Sequence, residues 1–222
     1  MRRPDERPMS RLPLLESRRD ALERCTFCPK LCRSACPVSD AAPRETVTPW
    51  GKMSLAYFTA TGDAPPDPTV AATAWACTGC MACREACDHR NEVAPSLYAA
   101  RGGLRGLGLA PPGAQRVAQG FARHDEATRQ AVRELGAHPA ATAGAPSALL
   151  LGCAYARGAM AEAQDGIDAV VALGEEPVRL VEGCCGLPLL LAGDTDGFAR
   201  AARRLAEEVG SARRLWVLDP GC

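Results

Sequence analysis

CTFCPKLCRSACP, residues 25–37, and CTGCMACREAC, residues 77–87, hold eight of the twelve cysteines in this 222-residue chain. The first run places Cys25, Cys28, Cys32 and Cys36 ahead of Pro37, and the second places Cys77, Cys80, Cys83 and Cys87 ahead of Asp88. Sulfur is a soft donor, and cysteines two or three residues apart wrap one side of a metal centre from a single loop. A fourth, more distant cysteine closes the shell from a neighbouring element. Zinc is the main rival, but structural zinc takes paired cysteines separated by a loop, and two dense runs of four fit that scheme poorly.

Outward from the runs, composition narrows the field. Basic and acidic residues balance at 26 each, giving a formal net charge of zero. A polyanion binder usually carries a basic excess, so nucleic acid is not an expected partner. Aromatics are few while Ala, Leu and Arg are common, which leans helical. No stretch approaches the roughly 18 apolar residues of a membrane helix, so any membrane contact is expected only indirectly, through a partner or a quinone. Ser17-Arg18-Arg19 is followed by Asp20 rather than by an apolar region, so it does not read as a twin-arginine export signal. The expected location is cytoplasmic, where thiols stay reduced and free to bind metal.

Four segments follow from the pattern. Residues 1–20, rich in Arg and Pro, are expected to be a mobile tail. Residues 21–110 carry both runs and read as helical: a helix from Pro49 capped by Thr48, a turn over 62–68, a helix over 69–76, and a helix over 95–100 ended by Gly102-Gly103. Residues 111–146 are expected to be a helical linker with separate helices over 114–122 and 125–136. Residues 147–222 change character. Strand signals at 148–151, 177–181 and 215–218 alternate with helices over 160–173 and 195–209, each ended by a glycine. That alternation predicts a small parallel sheet with right-handed crossovers.

The remaining cysteines follow these strands: Cys153 the first, Cys184 and Cys185 the second, Cys222 the third. In an open parallel sheet the crevice beyond the carboxyl ends of the strands is the usual ligand site, so adjacent strands would bring all four thiols to one edge. Gly183 and Gly186 flank Cys184-Cys185 and would let the backbone bend and approach a ligand closely.

The second run has the spacing of bacterial ferredoxin ligands for a [4Fe–4S] cluster, and the first differs by one inserted residue before Cys32. Cys153, Cys184-Cys185-Gly186 and Cys222 are similar in order and spacing to the cysteine-rich CCG module of heterodisulfide-reductase-like proteins. The chain as a whole resembles the iron–sulfur subunits of that family, which includes those of glycolate oxidase, lactate utilisation and anaerobic glycerol-3-phosphate dehydrogenase. The resemblance implies an α-helical double-cluster ferredoxin domain (21–110) followed by a small α/β cysteine-rich domain (147–222). The second cysteine of the module's final pair would fall beyond Cys222, so the module is expected to be incomplete and the chain a truncated form of a longer one.

By this resemblance, one [4Fe–4S] cluster takes Cys25, Cys28, Cys32 and Cys87, and a second takes Cys77, Cys80, Cys83 and Cys36, each run lending its last cysteine to the other cluster. A third cluster or a metal would sit at Cys153, Cys184, Cys185 and Cys222, with Cys184 and Cys185 as the catalytic pair. The implied function is an electron-transfer subunit of an oxidoreductase complex, working between a flavoprotein partner and a disulfide or quinone-type acceptor. The competing readings are a protein-interaction module with structural metal or clusters, and a thiol–disulfide enzyme using Cys184-Cys185. Arg33, Arg44, Lys52, Arg84 and Arg90 read foremost as a solvated face, with cluster tuning as the second reading. Trp50 and Trp75 read as packing, His89 as a surface imidazole, and His124 and His138 carry no signal. The G-x-G-x-x-G and Walker patterns are absent, so nucleotide binding has no support.

Overall fold

The computed structural model describes residues 12–29 and 31–222, and divides into two compact units, Met1–Gln115 with Leu191–Thr195, and Arg116–Leu190 with Asp196–Cys222. Residues 1–11 of the expected tail lie outside the described residues. From Leu12 the chain is packed: Leu12 and Leu15 are buried among the core residues of unit one, and a 3-10 turn, Pro13–Arg18, leads into α1 (Arg19–Thr26).

Among its described residues, unit one is helical, as its composition predicts. After α1 come α2 (Pro37–Ala41), α3 (Pro49–Thr61), α4 (Pro68–Trp75), α5 (Ala82–Glu85) and α6 (Val93–Gly106). The start of α3 is written in its sequence. Thr48 Oγ1 accepts from Gly51 N, Pro49 occupies the first turn, and Gly62 closes the helix at a left-handed φ of 83°. Asp67 caps α4 in the same way. Met53, Leu97, Ala71 and Leu22 form the centre of the core between α1, α3, α4 and α6. The expected stop at Gly102-Gly103 does not occur. Helix α6 continues to Gly106 because Gly103 serves packing: a Cβ there would come within 2.8 Å of Leu12 Cδ2.

The two expected linker helices are one helix, α7 (Pro112–Leu135). Nothing between 122 and 125 breaks it, and the Asp125–Arg129 ion pair spans one of its turns. The expected linker also contributes core to unit two: Val132 and Leu135 pack with Leu149, Leu151 and Ile167, and Phe121 packs with Cys184 and Cys185.

Unit two has the small parallel sheet that its alternation predicts. β1 (Ser147–Leu150) lies between β2 (Val178–Leu180) and β3 (Arg214–Val217), parallel to both. β1 is buried on both faces, the mark of a central parallel strand. Leu149 joins the core formed with α7 and with α9 (Met160–Gly174), while Ala148 and Leu150 face Leu205 and Val209 of α11 (Thr195–Val209). Two short helices unmarked in the sequence, α8 (Cys153–Gly158) and α10 (Leu187–Leu191), begin just beyond β1 and β2. No helix among the described residues is long and apolar enough to cross a membrane.

Candidate metal centres

The eight cysteines of the two runs line two recesses in unit one. Recess one, of about 360 Å³, is lined by Cys25, Cys28, Cys32 and Cys87, with Cys83, Trp50, Asn91 and Val93. Recess two, of about 340 Å³, is lined by Cys36, Cys77, Cys80 and Cys83, with Lys52, Pro49 and Val93. Each recess thus collects three cysteines of one run and the last cysteine of the other, and Cys83 borders both. Tight local turns achieve this. Met81 takes a left-handed φ of 61° ahead of α5, and Arg84 N and Cys87 N close turns onto Met81 O and Arg84 O. On the other run Cys28 N reaches Cys25 O and Ser39 N reaches Cys36 O.

The electrostatics of these recesses favour a cation within them. Burial, reinforced by neighbouring thiols, pushes Cys25 up to about 11 against the hydrogen bond from Asn91 Nδ2, 2.8 Å from its Sγ. Burial and the neighbours Cys32 and Cys77 push Cys83 up to about 12. Crowded, half-dry thiols cannot all ionise unless positive charge sits among them, and a bound metal would supply it. Cys36 goes the other way. Burial opposes its thiolate, but hydrogen bonds from Ser39 and the charge of Lys52 outweigh that and hold it below the ordinary thiol value. Lys52 Nζ lies 3.8 Å from Cys36 Sγ, and the residue is 2 % exposed. The solvated-face reading therefore fails for Lys52, while Arg33, Arg44 and Arg90 are exposed. Trp50 lines recess one and donates from Nε1 to Thr26 O at 3.0 Å; Trp75 packs in the core of unit one. His89 is exposed at the rim of recess one.

In unit two the four remaining cysteines meet beyond the carboxyl ends of the strands. Cys153 opens α8 just past β1, Cys184 and Cys185 follow β2, and Cys222 follows β3. Their thiols interact in series, Cys153 with Cys184, Cys184 with Cys185, and Cys185 with Cys222. Cys153 is lowered to about 6, chiefly by the Cys184 S–H, with His124 adding a further favourable interaction. Cys185 is lowered by Cys184 and Cys222, whose own pKa values rise in return because each donates to an ionised neighbour. Gly183 and Gly186 both take left-handed φ, 90° and 88°, so the bend expected around Cys184-Cys185 is present.

Two members of this site went unmarked in the sequence, and both lie on α7. A ring nitrogen of His124 sits within 4.8 Å of the Sγ atoms of Cys153 and Cys184. Arg157 Nη1 approaches His124 Nδ1 at 2.7 Å. Arginine only donates, so Nδ1 holds the lone pair and the proton is on Nε2, which is buried without an ordinary hydrogen-bond partner among the described residues. A metal-bound histidine shows the opposite pattern, its second nitrogen donating to an acceptor. His124 is therefore arranged as a donor beside the thiols rather than as a ligand. Asp125, the next residue, accepts from Cys184 N at 2.8 Å and is itself held by Arg129 and Arg204, each at 3.3 Å. No periodicity or spacing in the linker announces either residue; only the fold delivers them. Among the described residues, the thiols of unit one form no trio as tight as His124, Cys153 and Cys184. A single tetrahedral zinc, with Zn–S near 2.3 Å, would draw its thiolates to within about 4 Å of one another. The wider recesses of unit one suit a polynuclear cluster.

Comparison with known proteins agrees with this chemistry. Residues 21–91 match the model of the 4Fe-4S dicluster domain. Neither a search of curated proteins nor one of solved structures gave a match. The chain is an iron–sulfur protein with a ferredoxin-type domain followed by a small parallel α/β unit.

Proposed function

We propose that this chain is an electron-transfer subunit of an oxidoreductase complex, working between a flavoprotein partner and a disulfide or quinone-type acceptor. The observation that carries the reading is the division of eight thiols between two recesses, each built from both runs. On this reading Cys25, Cys28, Cys32 and Cys87 hold one [4Fe–4S] cluster, and Cys77, Cys80, Cys83 and Cys36 hold the other. When bound, such clusters take up and release single electrons. The chain's own residues supply the thiolates, line the recesses with Trp50 and Val93, place a positive charge through Lys52 and donate a neutral hydrogen bond from Asn91. Cys153, Cys184, Cys185 and Cys222 form the third site, for a cluster or a metal ion, with Cys184 and Cys185 facing the acceptor. The resemblance to heterodisulfide-reductase-like iron–sulfur subunits supports the flavoprotein partner and a cytoplasmic location, with any membrane contact made through that partner or a quinone.

The test is iron and acid-labile sulfide content, with low-temperature EPR, on the full chain reconstituted anaerobically and reduced with dithionite. Two four-iron clusters predict about eight irons per chain and magnetically coupled signals. Iron above that number, lost in Cys185→Ser, would put a cluster in unit two. Zinc without sulfide would overturn the electron-transfer reading.

A further inference from the structure

The two recesses differ in how they handle charge. Lys52 is buried to 2 % exposure beside recess two; its Nζ reaches Cys36 Sγ, and no carboxylate pairs with it among the described residues. Arg101, also 2 % exposed, approaches the same recess through the backbone. It donates to Cys77 O, to Ala74 O at 3.0 Å and to Leu191 O at 3.1 Å, and its guanidinium lies over the Tyr98 ring. It too pairs with no carboxylate among the described residues. Two buried cations facing only sulfur, carbonyls and an aromatic ring are costly unless an anion sits nearby. Four thiolates around a cluster core provide that anion, and reduction makes it more negative.

Recess one has no buried cation among the described residues. Arg24 and His89 line it, but both are exposed and their charge is screened by solvent. Its buried polar contact is the neutral amide of Asn91 on Cys25 Sγ. A neutral donor favours added negative charge less than a charged one does. Solvent acts in the same direction as the cations: each recess has one buried cysteine, Cys25 and Cys36, but recess two alone has an exposed one, Cys80.

From this asymmetry we propose that recess two is the more readily reduced of the two sites, with Lys52 as the positioning residue that makes it so. The inference rests on the two-cluster reading and adds an order to it. One electron from a single-electron donor, such as a reduced flavin in the partner, comes to rest at recess two; the donor is oxidised by that electron, and no bond forms or breaks.

The experiment is an EPR-monitored redox titration of the reconstituted full chain beside its Lys52→Met, Lys52→Gln, Lys52→Arg and Asn91→Leu variants, each checked for iron and sulfide. Wild type should show two separate potentials. Losing the charge in Lys52→Met or Lys52→Gln should lower the higher potential by at least a tenfold change in electron partition, which is 59 mV for a one-electron couple. Lys52→Arg should restore it, and Asn91→Leu should lower the other potential by less. Either of the Met and Gln variants that holds its clusters suffices for the comparison. Potentials indifferent to Lys52, or a single potential answering to both Lys52 and Asn91, would overturn the order while leaving the two-cluster reading intact. A wild-type chain without iron and sulfide would remove both. Failure of both neutral variants to hold the second cluster, with Lys52→Arg holding it, would make Lys52 an assembly residue and overturn the tuning role.

Discussion

The two groups of thiols in this chain are assembled by opposite means. In unit one, closely spaced cysteines on tight turns line two recesses, with the cations Lys52 and Arg101 near the second and the neutral amide of Asn91 at the first. In unit two, Cys153, the Cys184-Cys185 pair and Cys222, far apart in sequence, are gathered by a three-stranded sheet into one site, braced from α7 by His124 and Asp125. The first arrangement would need a bound metal before its crowded thiols could all ionise. The second is organised by the fold itself through a buried carboxylate and two glycines at left-handed φ. Removing a ligand should therefore hurt unit one through metal loss, while unit two should be hurt most through its scaffold.

The largest effect should come from Cys83→Ser. Cys83 borders both recesses, whereas Cys80 is exposed on recess two alone. Iron per chain should fall by well over half in Cys83→Ser and by about half or less in Cys80→Ser, because metal binding and local folding are coupled. Equal losses in the two variants would mean that Cys83 has no bridging place, and would weaken the contrast between the units at its strongest point.

Next in size is Asp125→Ala. This carboxylate is buried, satisfies Cys184 N and pairs with Arg129 and Arg204. Its loss leaves a buried N–H unpaired and frees two cations, of which Arg129 keeps Glu208 at 2.6 Å. A cost of about 2–3 kcal/mol is expected in urea denaturation of the chain, with the iron content of unit one unchanged. Loss of that iron in the same variant would show that the two thiol groups do not stand independently.

Gly186→Ala should cost less, about 1–2 kcal/mol. Its φ of 88° disfavours any side chain, and a Cβ would come within 2.8 Å of Ala201 Cβ on α11. Thermal unfolding of the variant measures it. A neutral outcome would mean that the Cys184-Cys185 bend is not a fixed part of the scaffold.

How much of this was legible in the sequence follows the same division. The cysteine runs, the Thr48 cap and the three parallel strands of unit two could all be read in advance, because spacing, capping and alternation are local signals, whereas the strand order could not. Three further things could not. The glycines of α6 looked like a helix end because their role is to admit Leu12, a contact distant in sequence. Residues 111–146 looked like a linker because the apolar positions of α7 are sparse, yet Phe121, Val132 and Leu135 are core. Lys52 looked like part of a solvated face and His124 carried no signal, because nothing in a sequence records that a polar group will be turned towards sulfur. The electrostatics of both sites depend on those hidden residues, while the candidate ligands were visible from the start.

The smallest effect is a titration. In metal-free protein the Cys153 thiol, lowered to about 6 from an ordinary 9.0, should stay ionised at neutral pH and lose reactivity only as pH falls through about 6. The Cys184 S–H is the main cause, so Cys184→Ala should carry the midpoint of Cys153 alkylation upward towards 9.0, and His124→Leu should carry it upward by less. At pH 7 the ionised fraction would drop by nearly a hundredfold for a full shift. A more basic thiolate is intrinsically the better nucleophile, with a Brønsted slope near 0.4–0.5, so the observed rate should fall only about fivefold. The midpoint is therefore the sharper readout. A Cys153 midpoint near 9 in the wild-type apo chain would mean that the thiols of unit two are not organised before metal arrives, and the two units would then depend on metal in the same way.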